Sequence, residues 1–504
     1  MTGLLSGRYV YAMPAWPAHP TVYEINTWVW LDALSRARRR TVDLGNVPDE
    51  ELARIADHRF DAVWLMGVWQ RSPGAREVSR TVPALLDEYG RALPGSTTDD
   101  VVGSPYAIGQ YRVDQALGGD EALASLRQRL ARLGLRLILD FVPNHLAIDH
   151  RWITEAPDRL VRGDEETIAA APQNWFRRNG RIFAYGRDPY FDGWSDTVQI
   201  DYRRAETRRA MRDTLMTVAE RADGARCDMA MLAIYDVFLR TWGGAFDEPG
   251  VQFWPDAIAH VKKRHPDFLT MAEVYWDLEW MLQEQGFDYT YDKRLYDRLV
   301  HGDATQVRAH LRGDFAFQRR LARFIENHDE PRAMAALGEA RGRGAAVASL
   351  TLPGLRLVHE GQMQGWQIKL PVQLGRRVDE PTQNGLPDFY LALVRALADG
   401  VLHDGAWWLI DPREAWAGNA SHQGFVLQQW WHNGEHRLVA VNFSPAPGQC
   451  FVPLKLPEIG AAQWRFRDML GPAEYVREEA DLAARGLYLD MPGYAYHLFV
   501  MERA

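Results

Sequence analysis

Arg226 and Asp228 stand two residues apart in the apolar run Gly-Ala-Arg-Cys-Asp-Met, so on a strand both side chains face the same way. A guanidinium beside a carboxylate favours the ionised form and lowers its pKa, which is the state a carboxylate nucleophile needs at neutral pH. Glu273 ends a second apolar run, Phe-Leu-Thr-Met-Ala-Glu, and is followed by Val274, Tyr275 and Trp276. A mostly apolar setting raises a carboxyl pKa, as a general acid requires. Further polar residues close two more apolar runs: Asp140, Asn144 and His145 in one, Asn327, His328 and Asp329 in the other. Polar groups at the ends of buried strands are costly unless paired or used. Each could be a structural cap, and Asp228 with Arg226 a structural ion pair, but a purely structural role does not explain all of them at one end of one sheet.

The elements that must position these residues are short apolar strands alternating with amphipathic helices. Strand-like runs lie at 21–30, 60–69, 135–139, 224–229, 268–274, 287–291, 321–326 and 354–359. Their continuous apolarity suits parallel strands buried on both faces. Leu123, Leu126, Leu130 and Leu133 recur at helical spacing before Gly134, and similar patterns run over 205–222, 256–265, 332–350 and 389–397. Eight strands with helices between most of them predict an α/β fold, a (β/α)8 TIM barrel, with its chemistry at the C-terminal ends of the strands. The stretch from 146 to 199 is rich in Trp, Pro, Gly, Arg and Asp and reads as a domain inserted over the barrel mouth after strand three. Beyond residue 400 the texture turns to β-rich runs joined by an Asn433-Gly434 hairpin turn, which predicts a C-terminal antiparallel β-sandwich domain. The expected organisation is therefore barrel 1–145, insertion 146–199, barrel 200–399 and β-domain 400–504.

Composition narrows the partners. A net charge of -9 argues against nucleic acid, and the one basic cluster, Arg36, Arg38, Arg39 and Arg40, reads as a solvated surface. Two cysteines build no disulfide framework, and Cys227 falls inside a buried run. The first 20 residues lack a basic and then apolar leader, and no apolar stretch reaches the ~20 residues that span a bilayer. The expectation is a cytoplasmic protein without membrane attachment, its oligomeric state left open. Two carboxyls in opposed environments on such a barrel are the expected signature of glycoside hydrolysis.

Taken together, the four motifs resemble the signature regions of the α-amylase superfamily, glycoside hydrolase family 13. They are Asp140-Phe-Val-Pro-Asn144-His145, Gly224-Ala-Arg226-Cys-Asp228-Met-Ala, the segment centred on Glu273, and Phe324-Ile-Glu-Asn327-His328-Asp329, in the family's order and on the expected strands. The resemblance implies a retaining enzyme acting on α-glucosidic bonds. Asp228 would be the nucleophile, Glu273 the acid/base, and Asp329 the third carboxylate, which holds the sugar's 2- and 3-hydroxyls. His145 and His328 would donate to the same sugar, Tyr106 in Ser-Pro-Tyr-Ala-Ile-Gly would lie beneath it, and Arg226 and Asn327 would complete the binding set. Retention implies carboxyl groups about 5–5.5 Å apart. The family's calcium site implies Asn144 as a ligand, with oxygens such as those of Asp188, Asp192 and Asp196; no other cofactor is required. Met231 and Leu232 replace a Lys-His pair found in many starch-cleaving relatives, which argues against ordinary endo-acting amylase activity. The substrate implied is an α-glucan oligosaccharide or a small α-glucoside, cleaved by water or transferred to a sugar acceptor. The rival is a non-catalytic sugar-binding or scaffold barrel, since fold alone does not prove activity.

Overall fold

The computed structural model describes residues 15–456 and 463–504. Part of the leader segment and parts of the first and last domain ranges fall on 1–14 and 457–462, outside the described residues.

Eight parallel strands close into a barrel: β1 (Thr21–Asn26), β2 (Ala62–Met66), β3 (Arg136–Phe141), β4 (Gly224–Cys227), β5 (Leu269–Ala272), β6 (Tyr289–Tyr291), β7 (Leu321–Arg323) and β8 (Leu355–His359). Seven lie within one of the apolar runs, and β3 continues its run by two residues, to Phe141. All eight are buried end to end, and that double-sided burial is why they read as continuous rather than alternating hydrophobics. Neighbours follow chain order around the ring, with β8 closing on β1.

The first run is shorter as a strand than its sequence suggests. β1 stops at Asn26, and Thr27–Arg38 is a helix. Thr27, Val29 and Trp30 favour strands by propensity, yet with Leu31 they are buried in a helix that also carries Asp32, Arg36 and Arg38. The run 332–350 forms the helix Ala333–Leu350, broken at Gly338, whose φ of 69° no helix accommodates.

The segment after β3 leaves and returns through a two-stranded neck, His145–Ala147 paired antiparallel with Thr197–Gln199. Between them lie a small sheet of Arg162–Gly163, Arg181–Ala184 and Trp175–Arg178 and two short helices. The neck puts His145 directly at the barrel mouth.

Past the barrel, a short helix, Gly400–Asp404, precedes the first β-strand, Ala406–Ile410, so the helical texture runs a few residues beyond the expected boundary. Two antiparallel sheets of six and three strands then face each other across a core that includes Phe425, Leu438, Phe466, Phe499, Cys450 and Leu489. Asn433, in the left-handed region, and Gly434 turn the hairpin between Phe425–His432 and Glu435–Asn442. The outer face of this hairpin joins the barrel's core through Val426, Trp430, Val439 and Val441. Among the described residues no helix is long and apolar enough to cross a membrane.

The arginine cluster ends the helix Thr27–Arg38. Arg36 pairs with Asp32 and Asp379, and Arg38 with Glu50, on the exposed surface. Cys227 and Cys450 are buried free thiols.

Candidate active site

The C-terminal ends of β3, β4, β5 and β7 deliver their polar residues to one point. Arg226, fully buried on β4, holds two carboxylates on its two terminal nitrogens: Nη1 donates to Asp228 Oδ1 at 2.6 Å and Nη2 to Glu273 Oε2 at 2.7 Å. Two further carboxylates flank the same guanidinium, Asp140 Oδ1 at 3.8 Å and Asp329 Oδ2 at 3.9 Å. Its planar face is packed by the rings of Trp64, Tyr106 and Tyr291. A single delocalised cation, always charged, thus sets the spacing of the acids.

Backbone hydrogen bonds fix where the two carboxylates emerge. Asp228 N donates to Phe141 O at 2.8 Å and Glu273 N to Cys227 O at 2.9 Å, which extends the barrel ladder one residue past β4 and β5. Met229 then turns into the left-handed region, with φ 41°, and its N–H donates to Glu273 Oε2 at 2.7 Å. A strained residue next to a reactive group is a recurring way to aim a backbone donor. Tyr275 Oη donates to Glu273 Oε1 at 2.7 Å. Glu273 therefore sits in a polar cradle of three donors rather than in the apolar setting its sequence neighbours suggest.

The expected depression of the Asp228 pKa is also corrected. Burial pushes this carboxyl up, against the pull of Arg226 and with repulsion from Glu273, to about 8. Asp228 and Glu273 share this one guanidinium. Asp329 behaves oppositely. Burial alone would raise it, but His328, Arg226 and Lys369 outweigh that and hold it well below the usual carboxylate range. His328 lies between two acids, Nε2 2.9 Å from Asp329 Oδ2 and Nδ1 2.5 Å from Glu24 Oε1. Burial pulls the imidazole down, yet Asp329 and Glu24 raise it to about 10, so it stands as an imidazolium.

The remaining residues singled out by sequence divide by role. Tyr106 reaches the centre, its hydroxyl 2.5 Å from His328 Nε2 and its ring 5.1 Å from the Arg226 guanidinium carbon. His145 is buried against Trp194, its pKa lowered by burial to about 3, so it stays neutral. Asn327 Oδ1 accepts from the backbone N–H groups of Asp329 and Glu330, both at 2.9 Å, which folds the turn that presents Asp329. Asp140 accepts from Trp64 Nε1 and Gly67 N and ties β3 to the turn after β2. Trp276 lies against Tyr190, and Trp175 against Trp242.

Two of the oxygens named for calcium are engaged within the protein. Asn144 Oδ1 accepts from Gln199 Nε2 at 3.0 Å, and Asp188 Oδ1 caps the N–H groups of Tyr190 and Phe191. Among the described residues no three His, Cys, Asp or Glu side chains gather around a point where a metal ion could sit.

Sequence reasoning missed Glu24, Met229 and Tyr275. Glu24 had a signal, a lone acid inside the apolar run Thr-Val-Tyr-Glu-Ile-Asn. The Met229 and Tyr275 contacts depend on a backbone turn and a ring orientation that spacing does not encode.

Known proteins are similar to this chain in sequence and in fold. The chain is similar to alpha-amylase 3 of Dictyoglomus thermophilum, 22% identical over 278 residues, 52% of this chain and 53% of that protein. It is also similar to an alpha-1,4-glucan:maltose-1-phosphate maltosyltransferase of Bifidobacterium longum, 28% identical over 236 residues, 44% of this chain and 25% of that protein. The chain spans about half the length, or less, of these curated relatives. Among solved structures, a maltogenic alpha-amylase of Thermotoga neapolitana superposes with a TM-score of 0.68 at 18% identity, covering 97% of this chain and 99% of that one, a likeness of fold. The sequence model for the alpha-amylase catalytic domain matches residues 50–370, more than half of the chain and all of the signature motifs. Barrel, motifs and match agree, and the chain belongs to the alpha-amylase family.

Proposed function

We propose that this protein is a retaining α-glycosidase or transglycosylase that acts on α-glucan oligosaccharides or small α-glucosides through a covalent glycosyl-enzyme. The observation that carries the reading is the pair of carboxylates, Asp228 and Glu273, held on the two ends of one buried guanidinium. An oxygen of Asp228 attacks the anomeric carbon as the bond to the leaving oxygen breaks, and Glu273 gives that oxygen a proton. In the second half, water or an acceptor hydroxyl attacks the same carbon, its proton passes to Glu273, and Asp228 is released. Asp329, ionised and partly open to the mouth, is suited to the sugar's hydroxyls, and the His328 imidazolium beside it can only donate. Relatives bearing hydrolase and transferase names support both fates of the intermediate.

The reading is tested by following products by NMR with wild type and Asp228→Asn beside maltose, malto-oligosaccharides, trehalose and sucrose. The α-anomer should form first, and the variant should be slower by on the order of a thousandfold or more. New oligosaccharides mark a transferase and free sugars a hydrolase. A β-anomer as first product would refute the double displacement.

A further inference from the structure

Two segments at the barrel mouth are built into one wall. The connection between β2 and β3 meets the loop after β8, where Val101 and Leu374 form an antiparallel bridge. Val102 N donates to Gln373 O and Gly375 N to Asp100 O, both at 2.8 Å. Arg376 forks onto Asp100, Nε on one carboxylate oxygen and Nη2 on the other at 3.0 Å, a bidentate arrangement that fixes direction as well as distance. Asp100 is itself held by the Thr97 N–H at 2.7 Å. Tyr89, Leu93, Val101 and Leu374 form a small buried core of their own beneath this clasp. The approach is close enough that a Cβ on Gly375 would fall 2.8 Å from Val102 Cγ1.

Topology says which side of the centre the clasp closes. In the ring, β1 lies between β2 and β8, and β5 is four strands from β1 in either direction. The clasp joins the connections that follow β2 and β8, so it crosses the mouth opposite Glu273, at the end of β5. An acid/base faces the leaving group, and the part of the substrate that stays on the enzyme therefore extends toward the clasp. The loop after β8 also touches the centre directly, because Lys369 Nζ donates to the Asp329 carbonyl. Between His328 and Asn327 on one side and Ala92, Leu370 and Val378 on the other remains a cavity of about 40 Å³. That is room for a few waters, against roughly 300 Å³ for the smaller ligand pockets. The clasp narrows the mouth on this side.

We infer that the clasp of Asp100, Val101, Leu374 and Arg376 makes the retained-sugar side of the centre blind-ended, so that the enzyme takes one terminal unit from the non-reducing end and does not cut within a chain. The inference rests on the retaining-glycosidase reading, because that reading decides which side holds the leaving group.

The test uses a malto-oligosaccharide with a free non-reducing end and the same chain capped there by a 4,6-acetal. Wild type should release or transfer a single unit from the free chain and act on the capped one at least a hundredfold more slowly. Equal rates, or internal cleavage of the capped chain, would overturn the clasp's role and leave the catalytic assignment standing. Binding of both chains to Asp228→Asn by calorimetry judges the wall without turnover: preference for the free end upholds it, and equal affinity or binding of neither overturns it. The double variant Asp100→Ala, Arg376→Ala should raise the capped chain's rate at least tenfold relative to the free chain's. An unchanged ratio in a folded double variant would likewise overturn the inference.

Discussion

Asp228 sits where its charge is most useful and least comfortable. Its pKa is raised to about 8 from an ordinary value near 4, so the folded state binds a proton that the unfolded chain releases. Stability then declines as pH rises from about 4 to about 8, and above that range the full cost of the buried charge is present. Asp228→Asn removes that cost. At pH 8.5 its melting temperature should exceed the wild type's by about 1–3 °C while activity is lost, a comparison that calorimetry makes directly. His328 gives the opposite sign. Its folded pKa of about 10 lies above the unfolded value, so its ion pairs stabilise fully below about 6.5 and are lost as pH rises through 10. Glu24→Gln removes one of the two acids that hold the imidazolium. His328 should then titrate well below 10 by NMR, and kcat/KM at pH 8 should fall by roughly ten- to hundredfold, the worth of about 1.5–3 kcal/mol for a hydrogen bond to a charged group. Retention of the high value would show that Asp329 suffices.

The elements were legible in the chain to different depths. The eight strands stood out because burial on both faces leaves no alternation, and the long helices because Leu123, Leu126 and Leu130 repeat at helical spacing. The helix from Thr27 was hidden by strand-favouring residues that tertiary packing overrides. The candidate centre was legible as polar residues closing apolar runs, and Asp228, Glu273 and Asp329 do meet around Arg226. Their electrostatics were not legible, because burial is a property of the whole barrel and outweighs the neighbouring guanidinium. Nor was the clasp, whose ion pair joins residues 276 apart. The turn after β8 supplies a test at this scale. Gly361 has φ 89°, and a Cβ there would lie 1.9 Å from the Trp366 ring and 2.1 Å from Arg332 Nη2. Gly361→Ala should cost about 2–4 kcal/mol, read by denaturant unfolding, because both the backbone and the packed ring must shift. A loss under about 0.5 kcal/mol would mean that this loop is not rigidly held.

At the scale of the molecule, barrel and β-domain share one core. Trp430 is fully buried, its Nε1 donating to Thr351 O at 3.0 Å, and Gln428 Nε2 donates to Ala348 O at 3.0 Å, so the hairpin is pinned to the helix Ala333–Leu350 and the residue after it. Arg308 reaches the other way, from the barrel to the carbonyl of Gln423 at 2.7 Å. Such an interface couples the unfolding of both parts. Wild type should melt in one calorimetric transition, and Trp430→Ala should cost about 3–5 kcal/mol and split it into two. The chemistry at the mouth depends on this rigidity, because the four carboxylates come from four separate strands and a single guanidinium must hold them in place. The most direct test of the central assignment is to trap the intermediate. Glu273→Gln is incubated with a 5-fluoro-α-glucosyl fluoride, whose leaving group needs no acid, and digested for mass spectrometry. The peptide carrying Asp228 should gain one fluoroglucosyl unit. Fluoride release without an adduct, or an adduct on any other residue, would contradict the account.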